Sequence, residues 1–93
     1  MIVQKGPKAA WRTIQGEGII LALDTKLLRG LNPVGTRIWE LIDGQRSVEE
    51  IARQIAREFT VEPDRALADA RAFIQELLSK DLVAPVGSPP PAG

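Results

Sequence analysis

The spacing of apolar residues along this chain changes character near residue 32. Before that point apolar residues come in short runs broken by turn chemistry; after it they recur every three or four positions. Trp11-Arg12-Thr13-Ile14 is rich in β-favouring side chains and predicts a short strand. Gln15-Gly16-Glu17-Gly18 predicts a turn, because glycine adopts positive φ at little steric cost. Ile19 to Leu23 is a compact apolar run, too short for a free-standing helix and of strand length. Asp24-Thr25 marks a second turn, and Lys26 to Leu31 forms a third strand, although Leu27 and Leu28 would also suit a helix. Two successive hairpins predict a three-stranded antiparallel meander.

The remainder reads as three helices. Asn32-Pro33 is a start signal, with Asn as cap and Pro at the first helical position. Val34, Ile38, Leu41 and Ile42 follow at helical spacing, and Gly44 stands where a helix stops. Ser47-Val48-Glu49-Glu50 fits a capping box. Behind it Val48, Ile51, Ala52, Ile55, Ala56 and Phe59 share one face, while Glu49, Glu50, Arg53 and Arg57 lie off it. Pro63 opens the third helix, with Glu62 and Asp64 near its positive end. Ala66, Ala70, Phe73 and Leu77 form its central stripe. Leu67, Ile74 and Leu78 widen that stripe on one side, to an apolar arc of about 140° at ~100° per residue. Such a width is wide enough for core packing alone, or for a margin that lines a groove. Val83-Ala84-Pro85-Val86 suits a short final extension, and Gly87 to Gly93 reads as a flexible, polyproline-like tail.

The chain has 93 residues, enough for one domain: a folded unit over residues 1–84 and a Pro/Gly-rich tail over 85–93. A domain of this size has little interior to spare for a deep active site. It has no cysteine, histidine or tyrosine. Disulfides, the usual zinc sites, iron–sulfur ligation and Ser-His or Cys-His nucleophilic pairs are therefore excluded. Glu40 and Asp43 near a helix end suit a turn at Gly44 better than paired catalysis. Trp39 reads as a packing group in preference to a stacking platform. The expectation is a protein that is not an enzyme and uses no cofactor or metal.

Lys and Arg total 12, and so do Asp and Glu. Zero net charge argues against electrostatically driven nucleic-acid binding. The basic groups concentrate early, however: Lys5, Lys8, Arg12, Lys26, Arg29 and Arg37 face only Glu17 and Asp24 in residues 1–37. The start Met-Ile-Val-Gln-Lys-Gly-Pro lacks a basic region followed by an apolar run, and no apolar stretch reaches the ~20 residues of a membrane span. A cytoplasmic location with no membrane partner is expected.

A small antiparallel sheet followed by three helices is an α+β, winged-helix-like arrangement. That fold often binds DNA, so surfaces must decide function. On the third helix Arg65 and Arg71 are set against Asp64, Asp69 and Glu76; on the second, Arg53 and Arg57 against Glu49, Glu50 and Glu58. Neither reads as a recognition helix.

Leu31-Asn32, then Ile38-Trp39-Glu40-Leu41, then Asp43-Gly44, then Ser47-Val48-Glu49-Glu50-Ile51 resembles the PqqD family. Phe73-Ile74-Gln75-Glu76-Leu77-Leu78 followed by Asp81-Leu82-Val83 resembles that family's third helix and its exit, and the resemblance spans roughly residues 9–84. Relatives often carry an aromatic residue just before Gly-Leu-Asn, where this chain has Arg29. The resemblance implies a precursor-peptide recognition element, a peptide chaperone. Such a domain binds the leader of a ribosomally made peptide and presents it to a modifying enzyme, often a radical-SAM maturase. Pyrroloquinoline quinone is the product of the founding case, while related domains serve lasso and thioether-linked peptides.

An edge strand can pair with an extended peptide through its backbone. With Lys26, Leu27, Leu28, Arg29, Gly30 and Leu31 as that edge, the expectation is that Leu67, Ile74 and Leu78 floor the groove with Arg71 alongside. Lys26 and Arg29 then meet acidic side chains of the peptide. The rival readings are a winged-helix DNA-binding regulator and a protein–protein adaptor. An exposed edge also leaves a homodimer open.

Overall fold

The structure, a computed structural model, describes residues 1–86. The tail expected over residues 87–93 lies outside the described residues. The elements run β1 (Val3–Lys5), β2 (Ala9–Ile14), β3 (Glu17–Ala22), β4 (Leu28–Gly30), α1 (Pro33–Leu41), α2 (Val48–Phe59), α3 (Pro63–Ser79) and β5 (Val83–Pro85). Strands β2, β3 and β4 form the expected antiparallel meander. Trp11 pairs with Ile20, and Ile20 with Arg29. Directly opposed residues share a face, so Trp11, Ile20 and Arg29 point to the same side of the sheet. Ile20 is buried, which identifies that side as the inner one.

The helix starts follow local chemistry. Asn32 Oδ1 accepts from the Gly35 N–H at 2.7 Å, ahead of Pro33. Ser47 Oγ accepts from the Glu50 N–H at 3.1 Å, and Glu50 Oε1 accepts from the Ser47 N–H at 2.8 Å, which closes the capping box. After α1 the chain turns through Gly44 at φ 80°, a conformation that favours glycine. Asp43 Oδ1 accepts from the Gln45 and Arg46 N–H groups there, so this carboxylate holds the turn.

The core gathers Ile20, Leu31, Ile38, Trp39, Ile42, Val48, Ile51, Ile55, Ala70, Ile74 and Leu77. Helix α1 packs against β3 and α2, and α2 packs against α3. Trp39 is buried, and Trp11 meets it edge to face with centroids 6.1 Å apart.

A second sheet was not among the expected elements. Strand β1 pairs antiparallel with β5, Gln4 opposite Ala84. The Val86 N–H donates to the Ile2 carbonyl at 2.8 Å, and an isolated bridge joins Ile2 to Ser47. Strand β5 ends at Pro85, one residue beyond the boundary suggested by composition. Pro85 is tolerated because β5 pairs on one side only and a terminal strand position needs no further donor.

Candidate functional site

Among the described residues strand β4 lies at the edge of the meander, bonded to β3 alone. The Ala22 N–H donates to the Leu27 carbonyl and the Leu31 N–H donates to the Gly18 carbonyl. Leu27, Arg29 and Leu31 thus direct backbone groups inward to β3. By the alternation of an antiparallel ladder, the backbone groups of Leu28 and Gly30 point away from the sheet. The edge therefore offers a short row of donors and acceptors to a further strand.

Beside that edge runs the C-terminal half of α3. Arg29 reaches across to it: its Nη1 pairs with Glu76 Oε2, and its guanidinium lies 5.5 Å from the centre of the Phe73 ring. Lys80 Nζ contacts the same Glu76 Oε2 at 3.3 Å. Among the described residues Arg29 Nε is buried without an acceptor. A pocket of about 410 Å³ opens between β4 and the exit of α3, walled by Ile20, Ala22, Leu27, Leu28, Arg29, Lys80 and Leu82, with Asp24 and Thr25 of the β3–β4 turn at its margin. Leu27 and Leu28 are 68% and 70% exposed on its rim. A second hollow continues past Arg29 toward Gly30, Leu31, Asn32 and Phe73.

Phe73, Glu76 and Lys80 thus form the wall that faces β4. The expected floor residues lie elsewhere on α3. At ~100° per residue, Leu67, Arg71, Ile74 and Leu78 project roughly 100–160° away from Phe73 around the helix. Ile74 is only 1% exposed and belongs to the core. Arg71 pairs with Glu49 of α2 at 3.4 Å, and both line a small hollow with Met1, Val48 and Ile74. Leu67 and Leu78 pack half-buried against the core. The wide apolar arc is therefore the face shared with α2, and the groove uses the opposite margin. Phe73 is half-buried there, so it and Ile74 exchange the roles that the stripe suggested. One signal marks the margin that faces β4 in the sequence: Phe73, Glu76 and Lys80 fall at spacings of three and four.

The strand residues also divide. Leu27, Leu28, Arg29 and Gly30 stand at the edge or rim. Leu31 is buried beneath the sheet. Lys26 sits exposed in the β3–β4 turn, at φ 62°.

Lys5 Nζ lies 5.1 Å and 5.2 Å from the Trp11 and Trp39 ring centres and donates to the Ile42 carbonyl at 2.7 Å. Burial lowers the pKa of this amine, against the opposing pull of the Asp43 and Glu40 carboxylates. Among the described residues no group of three or more His, Cys, Asp or Glu is placed to hold a metal ion, and no helix is long and apolar enough to cross a membrane.

Two solved structures share this fold. One, described as TbiB1 in complex with the TbiA(beta) leader peptide, is 31% identical with a TM-score of 0.78, covering 86% of this chain and 93% of that one. The other, described as lasso peptide synthetase B1 complexed with the leader peptide, is 18% identical with a TM-score of 0.80, covering 91% of this chain and 100% of that one. At that identity it speaks to the fold alone. None of the curated proteins matches the chain. Residues 17–83, which include the whole edge-strand groove, match the family described as coenzyme PQQ synthesis protein D, and the chain belongs to this PqqD family.

Proposed function

We propose that the groove between β4 and α3 binds the leader segment of a ribosomally made precursor peptide and delivers it to a separate modifying enzyme. A radical-SAM or related maturase is the partner class that the family suggests. The observation that carries the proposal is the edge of β4, unpaired among the described residues, beside a largely apolar pocket of about 410 Å³. A peptide laid on that edge gains backbone hydrogen bonds with little demand on sequence, and the pocket selects side chains. The family membership and the leader-bound state of the 31%-identical TbiB1 support this reading. The chain itself performs no chemistry in this scheme, in keeping with a sequence that lacks Cys, His and Tyr.

Calorimetry with the precursor peptide encoded beside a maturase gene tests it. Micromolar or tighter binding is expected, equivalent to about −8 kcal/mol. Amide shifts should move at Leu28–Gly30, Phe73 and Glu76. Absence of binding at ~100-fold higher concentration, or shifts confined to α2, would overturn the assignment.

A further inference from the structure

The groove already contains a carboxylate. Glu76 Oε2 is shared by Arg29 and Lys80, one cation from the edge strand and one from the end of α3. Two cations on one carboxylate leave a positive excess at this point. Arg29 also keeps Nε buried with no acceptor among the described residues, although a guanidinium offers five donors in a fixed fork. Stacking on Phe73 holds that fork in place. Resting on the groove reading above, we infer that Glu76 is a resident stand-in for an acidic side chain of the peptide, and that Arg29 and Lys80 select peptides carrying one.

The register makes the selection specific. Leu27, whose carbonyl continues the β4 ladder by accepting from the Ala22 N–H, lies two residues before Arg29, and alternate residues of an extended segment face the same way about 6.6 Å apart. On a peptide strand added at this edge, the residue opposite Arg29 points toward Glu76. The residue two positions away, opposite Leu27, points into the apolar pocket. The selected peptide therefore has Asp or Glu two positions from a bulky apolar residue. When it binds, the peptide carboxylate takes up the Arg29 donors and Glu76 turns back toward Lys80 and solvent. Glu76 thereby weakens acidic peptides somewhat and rejects those with nothing to offer Arg29 in exchange.

A display library of random ten-residue peptides, sorted on the full chain, provides the test. The wild type should enrich an acid and an apolar residue at that spacing. Arg29→Gln should lose the acid preference and keep the apolar one. Glu76→Gln should bind a synthetic acidic winner about 2- to 5-fold more tightly, the range that removal of one exposed competing ion pair permits. Melting curves accompany each variant; if Arg29→Gln is unstable, Lys80→Gln, on the same carboxylate, should show reduced acid preference. Enrichment of apolar residues alone, or an acid preference unchanged in Arg29→Gln, overturns the inference and leaves the groove reading intact. Failure of the wild type to enrich any peptide overturns the groove reading itself, and the inference with it.

Discussion

The Gly18 N–H donates to the Thr36 hydroxyl at 2.8 Å, a buried bond that ties strand β3 to helix α1. Thr36 is the buried polar side chain of the described core. Thr36→Val keeps the shape and removes the acceptor, stranding a buried amide at a cost of about 1–3 kcal/mol. Thr36→Ser should lose much less. Thermal melts of the two variants check this, and similar melting for both would assign the bond no weight.

Ile51 and Phe73 should separate stability from recognition. Ile51 is fully buried in α2, and Ile51→Ala should cost about 2–5 kcal/mol, a large share of the ~5–15 kcal/mol that holds a small domain together. Phe73 is half-buried beneath Arg29 in the groove wall. Phe73→Ala should therefore destabilise less than Ile51→Ala and weaken peptide binding in the variant that remains folded. Denaturant melts paired with calorimetry measure both; equal destabilisation would place Phe73 in the core.

The contrast between these two residues shows how far the amino-acid pattern carries. Caps at Asn32 and Ser47 are legible because each needs only a few neighbouring residues. The meander is legible because its hairpins are local, with Gly16 and Asp24-Thr25 marking the turns. The margin of α3 that meets β4 is not, because an apolar arc gives its own width and not the identity of what lies on either side. The width of the arc points to Leu67, Ile74 and Leu78, whereas the margin that faces β4 is the aromatic and charged one. Strand β1 and its pairing with the final extension are not legible, because three residues such as Val3-Gln4-Lys5 are too few to display a period.

Leu27 and Arg71 probe that reassignment. Leu27 is exposed on the pocket rim, so Leu27→Ser should change stability by less than about 0.5 kcal/mol. Losing a leucine that becomes buried by the peptide should weaken binding about 10-fold. Arg71→Ala, on the α2 side, should leave affinity within about 2-fold of wild type. The reverse ranking in a titration would return the site to the α2 margin.

Acid should loosen the domain through its turn and cap carboxylates. The Arg46 and Gln45 N–H groups hold the Asp43 carboxyl below its ordinary value of 3.8. The Ser47 N–H does the same for Glu50, and the Arg37 guanidinium for Glu58, both from 4.5. A carboxyl depressed in the folded state adds stability that is complete above its unfolded value and is lost as pH falls through the folded one. Melting temperature should thus hold from neutrality down to the ordinary carboxylate range and decline below it. Glu50→Gln should melt lower at neutral pH and show a shallower acid decline; an unchanged slope would remove the cap carboxylate from this account.

The pairing of β1 with β5 brings Ile2 and Val86 within one hydrogen bond of each other. Topologically the folded segment is nearly a closed ring, with entry and exit at a single place. A ring of this kind can be reopened elsewhere: a short linker joining the two ends, with new termini at the exposed Gln15-Gly16 turn, preserves every strand pairing and helix contact. The same geometry lets the domain be spliced into a loop of a larger protein without forcing the host's two attachment points apart. Edge strand β4 takes no part in that closure, so a groove-bearing module can be fused to, or inserted in, an enzyme that works on the peptide it holds.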